Sequence, residues 1–403
     1  MVPKLRFHFN DSILEKTTLQ VITDGIGDGI HATPAYQDDG DYFFINGNNL
    51  NNGSLTLSEN TKKISLEEKE KYRDNLNERS ILLSINGTIG NIAYYDNEPV
   101  LLGKSVAYIN VSNSYCKEWV YFTLQGNSVL KYFEQELTGS TIKNLSLKSI
   151  RNTVIYLPNF YEQKKIGDFL SSVDEKITLL NKQYDLLCQY KKGMMQKIFS
   201  QELRFKDKNG EEFPEWKRQK LGDVATFLKG KGVAKADIIE CGERECIRYG
   251  ELYTEYSEVI NKIKSKTNQS VFDSTLSVSR DVLIPSSGET AIDISKASCV
   301  LNDGVILGGD LNIIRSNVID GVFLSYYINS KKRYEIAQMA QGNSVVHLYA
   351  KQLAEIDVFY PCKKEQMKIS NFLSAFDEKI AVKKAELDKL TTWKQGLLQQ
   401  MFV

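Results

Sequence analysis

Two stretches of the chain carry apolar residues at the spacing of a long amphipathic helix. Between residues 166 and 198, and again between 369 and 401, apolar positions recur at alternating intervals of four and three. This heptad spacing is typical of helices that pair along an apolar seam. The residues expected in the seam are Ile166, Leu170, Val173, Ile177, Leu180, Tyr184, Leu187, Ile369, Leu373, Phe376, Ile380, Leu387 and Leu390. The pattern therefore predicts two coiled-coil helices.

The two stretches are copies of one another. Residues 139–200 align without a gap to residues 342–403, at a constant offset of 203. The tetrapeptide Asp-Glu-Lys-Ile, for example, stands at 174–177 and again at 377–380. Upstream of each copy the two halves share only fragments. The chain is therefore an internal repeat in which a variable region and a shared region alternate twice.

Each helix is expected to begin just after a proline, Pro158 or Pro361, because proline suits the start of a helix and not its interior. About 38 residues at 1.5 Å each make a helix about 57 Å long. Helix one leads into the second variable region and helix two leaves it. The connectivity therefore predicts an antiparallel pair related by a pseudo-twofold axis.

Two lysines interrupt the apolar seam at equivalent positions. Lys191 and Lys394 either fix the register of the pair at some cost in stability, or pack their stems while the ammonium groups reach solvent near a fraying end. The acidic pairs 174–175 and 377–378 are expected to be surface charges on the helices.

Both variable regions mix short β-like runs with turns rich in glycine, asparagine and serine. The predicted elements are strands at 41–45, 80–85 and 100–111 with a helix at 65–79, then strands at 245–249, 281–284 and 308–315. Residues 83–88 resemble 284–290, and 102–109 resemble 307–314. We therefore expect two copies of one α/β fold. The predicted class is α+β, with two α/β domains separated by two long antiparallel coiled-coil helices.

Composition limits the possible partners and compartment. The chain has 403 residues, 42% of them hydrophobic, with 51 basic and 51 acidic residues and a formal net charge of zero. Such a balance argues against indiscriminate binding to phosphates and leaves room for local basic patches. The six cysteines lack the spacing of a zinc site, and we expect free thiols. With no apolar signal core and no apolar run long enough to span a membrane, we expect a cytoplasmic protein.

If the variable regions bind DNA, their loops offer side chains that suit base edges and phosphates. The candidates in the first region are His31, Thr33, Tyr36, Asn46, Asn48, Asn49, Asn51, Asn52, Asn86, Thr88, Ser140, Thr141 and Lys143. The candidates in the second region are Lys229, Lys231, Lys235, Arg248, Tyr249, Ser286, Ser287, Thr290, Asn343, Ser344 and His347. For each residue alone, an ordinary polar loop is an equally good interpretation.

No catalytic chemistry is predicted. The glycine-rich segments 24–29 and 227–232 lack the spacing of a dinucleotide-binding loop or a P-loop. The histidines at 8, 31 and 347 are too scattered to suggest a metal site. We therefore predict no catalytic, cofactor-binding or metal-ligating residue on this chain.

These features together resemble the specificity (S) subunit of type I restriction-modification systems. The resemblance rests on residues 157–177 with their second copy 361–380, on the closing run 394–402, and on the stretch 203–223 that follows the first helix. It is specific in the helices and weak in the recognition loops. By this resemblance, residues 1–157 and 201–360 are target-recognition domains, and residues 158–200 and 361–403 are the spacer helices.

The resemblance implies that each domain reads one half of a bipartite site on double-stranded DNA. It also implies that two modification subunits, which carry S-adenosylmethionine, dock on the helices, and that restriction subunits bring ATP and Mg²⁺. The chain itself would be non-catalytic and would hold no cofactor.

Two functions of another class stay open at this point. One is a single-chain methyltransferase or nuclease with twin recognition modules, which the absence of cofactor motifs disfavours. The other is a scaffold whose coiled coil joins two protein-binding domains without any role for DNA.

Overall fold

The computed structural model describes residues 3–7, 14–73, 75–139, 142–342 and 344–402. The chain divides into two compact units. Unit 1 comprises residues 1–181 and 385–403, and unit 2 comprises residues 182–384. Each unit therefore contains one variable region together with a segment of each long helix.

Unit 1 combines short strands with short helices and segments of the long ones. Its strands are Glu15–Thr18 (β1), Thr23–Asp28 (β2), Tyr42–Ile45 (β3), Leu50–Asn51 (β4), Ser54–Leu55 (β5), Lys63–Ile64 (β6), Ser80–Ser84 (β7), Ile92–Tyr94 (β8), Val100–Leu102 (β9), Val106–Val111 (β10) and Val154–Leu157 (β11). Its helices are Leu66–Glu70 (α1), Lys117–Leu124 (α2), Asn127–Glu136 (α3), Leu147–Arg151 (α4) and the first part of Phe160–Phe199 (α5).

Unit 2 repeats this plan. Its strands are Lys217–Lys220 (β12), Thr226–Lys229 (β13), Arg244–Ile247 (β14), Val259–Ile260 (β15), Ser265–Thr267 (β16), Thr275–Leu276 (β17), Asp281–Pro285 (β18), Ser287–Gly288 (β19), Ser298–Val300 (β20), Ile306–Leu307 (β21), Leu311–Arg315 (β22), Val346–His347 (β23) and Asp357–Tyr360 (β24). Its helices are Leu221–Val224 (α6), Glu251–Thr254 (α7), Ala291–Ile294 (α8), Gly321–Tyr327 (α9), Arg333–Met339 (α10), Ala350–Ala354 (α11) and the first part of Lys363–Met401 (α12).

The sheets of the two units share one plan, and unit 2 has one more strand in the main sheet. The main sheet runs β2-β10-β7-β8 in unit 1 and β13-β22-β18-β20-β15 in unit 2. A parallel pair, β3 with β9, matches the parallel pair β14 with β21. An antiparallel pair joins the two ends of each domain, β1 with β11 and β12 with β24. The prediction of two copies of one α/β fold is confirmed.

Three predicted elements differ from the structure. The helix predicted at 65–79 ends at Glu70. The chain beyond it is held against β10, because the Asn75 side chain donates a hydrogen bond to the Tyr108 hydroxyl and the Asn75 carbonyl accepts one from Asn110 Nδ2. The strand predicted at 100–111 is broken by a turn at residues 103–105. The strand predicted at 308–315 begins only at Leu311, after an equivalent turn.

The long helices begin two residues after Pro158 and Pro361, as the prolines predict. In unit 1 the rings of Phe169 in α5 and Trp393 in α12 lie 6.0 Å apart. In unit 2 the rings of Tyr190 in α5 and Phe376 in α12 lie 5.2 Å apart. Also in unit 2, Lys384 Nζ of α12 lies 5.9 Å from the centre of the Tyr184 ring of α5, so the residue numbers of the facing positions in α12 fall as those in α5 rise. The predicted antiparallel direction therefore holds within unit 2.

The burial pattern of the helices follows the predicted seam. All thirteen seam residues are buried or half-buried, whereas Leu179, Leu186 and Val382, which lie off the pattern, are more than half exposed. The first seam residues of each helix also belong to a domain core. Ile166 packs in the same apolar cluster as Trp119, and Ile369 in the same cluster as Phe323. The start of each helix is thus part of the domain that precedes it.

Candidate nucleic-acid interface

In unit 1, loops from distant parts of the sequence meet at one edge of the sheets. The Ile30 amide donates to the Leu102 carbonyl, and the Gly103 amide donates to the Ile45 carbonyl. The Ile85 amide donates to Ser105, and the Leu145 amide donates to Ile85. We call this edge rim 1. It comprises residues 29–36, 46–52, 85–91, 103–105 and 142–145.

Rim 1 presents most of the candidate side chains of the first region to solvent. Those that are exposed are His31, Thr33, Tyr36, Asn48, Asn51, Asn52, Thr88 and Lys143. The Nε2 atom of His31 lies 2.9 Å from an Asp28 carboxylate oxygen. These side chains are placed where an extended ligand could contact several of them at once.

Three asparagines of rim 1 are held by the protein itself. Ser105 Oγ donates to Asn46 Oδ1 at 3.0 Å, and the Asn46 amide donates to Asn49 Oδ1 at 2.9 Å. Asn86 Nδ2 lies 3.5 Å from Asn144 Oδ1. Because their polar atoms are engaged, these residues shape the loops and leave fewer groups for a ligand.

Rim 2, the same edge in unit 2, is built by the same backbone hydrogen bonds. The Lys231 amide donates to Leu307, and the Gly308 amide donates to Ile247. The Ser286 amide donates to Asp310, and the Leu348 amide donates to Ser286. Rim 2 comprises residues 229–235, 248–254, 286–290, 308–310 and 344–348. Each bond has its counterpart in rim 1, so the two rims share one backbone plan.

The candidate side chains of rim 2 differ in exposure and in what they bind. The exposed candidates are Lys229, Lys231, Lys235, Thr290, Ser344 and His347. Ser286 and Tyr249 are half-buried. Two other candidates serve the fold: Ser287 is only 6% exposed, and Arg248 donates to Glu251 at 3.3 Å. Thr290, although exposed, accepts the Asp293 amide and caps α8. Three predicted candidates, Ser140, Thr141 and Asn343, lie outside the described residues.

The structure adds two residues that sequence reasoning missed. Lys104 and Asp310 are exposed in the turns 103–105 and 308–310, at the centre of each rim. Both turns fall inside segments predicted as continuous strands. The glycines at 103 and at 308–309 were the only sequence signal for a turn at these places.

A lysine from one long helix binds an aspartate of the other within each unit. We call these contacts clamp 1 and clamp 2. In clamp 1, Lys394 Nζ lies 2.7 Å from Asp174 and 3.4 Å from Gln125 Oε1 at the end of α2. Its ammonium also lies over the Phe122 ring at 5.4 Å.

Clamp 2 repeats this arrangement with a second carboxylate. Lys191 Nζ lies 2.5 Å from Asp377 and 3.0 Å from Glu258, and 5.1 Å above the Tyr326 ring. Burial lowers the pKa of Lys191, but the two carboxylates outweigh burial and raise the pKa above the ordinary lysine value. Burial in turn raises the pKa of Asp377.

The clamps decide between the two interpretations of the seam lysines. The side chains of Lys191 and Lys394 are only 11% and 16% exposed, so their ammonium groups do not reach out to solvent. The prediction of surface charges is wrong for Asp174 and Asp377, which are the partners of the lysines, whereas Glu175 and Glu378 are exposed as predicted. A helix pair that slid by one turn would leave these charges unpaired in a poorly hydrated site. The lysines therefore fix the register within each unit.

A second buried ion pair anchors the start of each long helix. Arg6 donates two hydrogen bonds to Glu162, which is 1% exposed, and Arg204 donates two to Glu365, which is fully buried. The next residue in each copy, Gln163 or Gln366, accepts the backbone amide at the start of α2 or α9. The Glu-Gln pairs at 162–163 and 365–366, which are part of the sequence resemblance, thus hold the domain of each unit in a fixed orientation to the start of the long helix that follows it.

Within the described ranges, no group of three or more His, Cys, Asp or Glu side chains lies close enough to hold a metal ion. No described helix is both long and apolar enough to cross a bilayer.

Comparison with known sequences places the chain in a family. Residues 29–188 and 214–392 each match the "Type I restriction modification DNA specificity domain". The type I restriction enzyme MjaVIII specificity subunit of Methanocaldococcus jannaschii is 25% identical over 341 residues, which cover 80% of this chain and 78% of the relative. The putative MjaX specificity subunit of the same organism is 27% identical over 326 residues, covering 77% and 73%.

Solved structures show the same fold. The S subunit of a type I restriction-modification system from M. genitalium superposes with a TM-score of 0.67 and 19% identity, over 100% of this chain and 99% of that chain. A chain from a study of complex assembly and conformational transition of the type I R-M system superposes with a TM-score of 0.55 and 13% identity, over 98% of each chain. The family domain matches most of the chain in two successive copies, and the chain therefore belongs to the type I restriction-modification DNA specificity family.

Proposed function

We propose that this chain is the DNA-reading subunit of a type I restriction-modification complex, and that rim 1 and rim 2 each read one half of a bipartite site. One observation carries the proposal: the two family-domain matches fall on two units whose rims share a backbone plan and differ in side chains. A constant scaffold with variable loops is the usual way in which proteins vary a binding specificity.

The chemistry of the rims supports a DNA ligand. Exposed lysines suit phosphates and guanine, and exposed asparagines and hydroxyls suit adenine edges and phosphates. The chain as a whole carries no net charge. Attraction to DNA would therefore come from the local charges of the rims and from partner subunits, which favours recognition over indiscriminate binding.

The long helices supply the second part of the proposal, which is the docking of two modification subunits. Leu179, Leu186 and Val382 lie off the seam and are 53%, 53% and 64% exposed. Apolar side chains on the outer face of a coiled coil are suited to pack against further helices. In this proposal the modification subunits hold S-adenosylmethionine and the methyl-transfer residues, and restriction subunits bring ATP and Mg²⁺. The specificity chain itself then carries out no catalytic step.

A map of methylated bases in the source cell, with and without this gene, tests the proposal. Deletion should abolish methylation at one split motif, made of two short half-sites around a gap of fixed length. Complementation with the intact gene should restore that motif and no other. Loss of a contiguous motif would contradict the proposal that the two rims read separate half-sites. An unchanged map in a cell that expresses the chain would contradict a role in DNA specificity.

A further inference from the structure

Asp310 lies at the centre of rim 2. Its carbonyl accepts the Ser286 amide at 2.8 Å, and the preceding residues bind the neighbouring loops: Gly308 donates to Ile247, and Gly309 donates to Gly232. The turn 308–310 is therefore in contact with the loops that carry Lys231, Arg248 and Ser286. A ligand that bridges these loops must pass over this turn.

The Asp310 side chain has no structural task among the residues described here. It is exposed, and its carboxylate takes part in no hydrogen bond or ion pair with any described residue. Its φ of 58° is in the left-handed region, which few residues other than glycine, asparagine and aspartate adopt readily. A glycine, as at the preceding position, would serve this backbone at least as well. The carboxylate is therefore free to act on a ligand.

An unpaired carboxylate can contact only a few groups of DNA. Phosphates repel it, and it can only accept hydrogen bonds. In the major groove the donors are the exocyclic amines of cytosine N4 and adenine N6. Carboxylates pair with cytosine N4, while asparagine and glutamine match the donor and acceptor pattern of adenine.

We propose that Asp310 reads a cytosine through its N4 amine in the half-site recognised by unit 2. This inference rests on the proposed function and adds a specific base to it. The equivalent residue in rim 1 is Ser105, whose backbone carbonyl accepts the Ile85 amide just as Asp310 accepts Ser286. The Ser105 hydroxyl is engaged with Asn46 and Gly47, so rim 1 lacks this reader.

Two substitutions at Asp310 test the inference without straining the turn, because glycine and asparagine both tolerate a left-handed backbone. Asp310→Gly removes the carboxylate, and Asp310→Asn exchanges it for an amide. The control is Asp223→Asn, an exposed aspartate on α6 at the opposite end of strand β13. Each variant is co-expressed with its modification partner. The methylated motif is then mapped, and binding of the purified complex to duplexes altered at each half-site position is measured.

We expect Asp310→Gly to lose roughly tenfold or more discrimination for cytosine at one position of one half-site. Asp310→Asn should move the preference at that position towards adenine, and Asp223→Asn should keep the parental motif. If both Asp310 variants keep the parental motif and its discrimination, the inference is overturned while the proposed function stands. If the parental complex itself methylates no split motif, the proposed function fails instead.

Discussion

Unit 1 and unit 2 agree in the contacts that anchor the helices and differ in the side chains of their rims. Both have a buried Arg–Glu pair, a glutamine that accepts the backbone amide at the start of α2 or α9, and a Lys–Asp clamp. At the rims, Ser105 stands where the other unit has Asp310, and Asn46 where the other has Arg248. The shared contacts are buried, whereas of the differing rim residues Asp310 is exposed and the other three are half-buried.

This difference indicates which part of the repeat is free to vary. A change in an anchoring residue leaves a buried charge or amide without its partner, which costs stability whatever the ligand is. A change at an exposed rim side chain such as Lys104 or Asp310 removes no buried contact. The anchors also differ in one detail, since clamp 2 has Glu258 where clamp 1 has the neutral Gln125. The two units should therefore respond unequally to the same substitution.

The largest expected effect comes from removing the arginine of a buried pair. Arg204→Met should destabilise unit 2 by about 3 to 5 kcal/mol, because Glu365 would be left as a buried charge with no partner. Arg6→Met should destabilise unit 1 for the same reason, because Glu162, which is 1% exposed, would lose its cation. Amide hydrogen exchange, followed separately for each unit, measures both.

The double variant Arg204→Met with Glu365→Gln is the control for this prediction. Replacing the carboxylate by a neutral amide should recover most of the lost protection. Equal protection in the single variant and the parent would show that the pair does not hold the helix to its domain.

An intermediate effect is expected at the clamps. Lys191→Met should destabilise unit 2 by about 2 to 3 kcal/mol, because two carboxylates lose their cation. Lys394→Met should cost unit 1 less, since it leaves one unpaired carboxylate. Urea unfolding and hydrogen exchange provide the comparison, and Lys192→Met, which removes an exposed lysine, should change neither. A larger loss in unit 1 would contradict the role assigned to Glu258.

Clamp 2 should also give a pH signature. The folded-state pKa of Lys191 is raised, so its contribution is complete below about pH 10 and is lost as the pH rises through that pKa. The raised pKa of Asp377 acts in the same sense, because protonation near and above the ordinary carboxyl value favours the folded state and this contribution is lost as the pH rises through the raised pKa. Lys191 lowers that pKa, so in Lys191→Met the carboxyl takes up its proton at a still higher pH. The deficit of Lys191→Met relative to the parent should therefore shrink on acidification from neutral pH towards pH 4 and again above pH 10.

The smallest effect is expected on the rims, and it concerns DNA binding alone. Lys104→Met should weaken binding by the assembled complex and lower the steepness of its salt dependence by about 0.9, the value for one phosphate contact. Lys231→Met should have less effect, because Lys231 already lies 3.3 Å from Asp273. Fluorescence anisotropy over a series of salt concentrations tests this. If Lys104→Met folds normally and its DNA binding keeps the parental salt dependence, Lys104 does not contact a phosphate.

The helices and the repeat of the fold could be predicted from the sequence because their signals are local or periodic. The seam from Ile166 to Leu187 follows the heptad spacing, and the offset of 203 links the two copies directly. The antiparallel direction followed from connectivity. These features do not depend on which distant residues meet.

The site could be predicted only in part because distant segments build it. Glu258 joins clamp 2 from a loop that no helical pattern connects to Lys191, and Asp174 shows no sign of burial in its own heptad. The sequence gives no sign that the side-chain oxygens of Asn46 and Asn49 accept hydrogen bonds from Ser105 Oγ and from the Asn46 amide. Asp310 falls in a run of strand-like residues, and only its pairing with the 286 loop places it at the centre of the rim.

Exchange of one recognition domain tests whether the two units read DNA independently on one scaffold. Residues 14–140 would be replaced by the corresponding segment of another specificity subunit, with both helices left intact, and methylated bases would be mapped in cells carrying the modification partner. We expect one half-site to change while the other half-site and the gap between them are retained. A change in both half-sites, or in neither, would show that the two units are not independent readers.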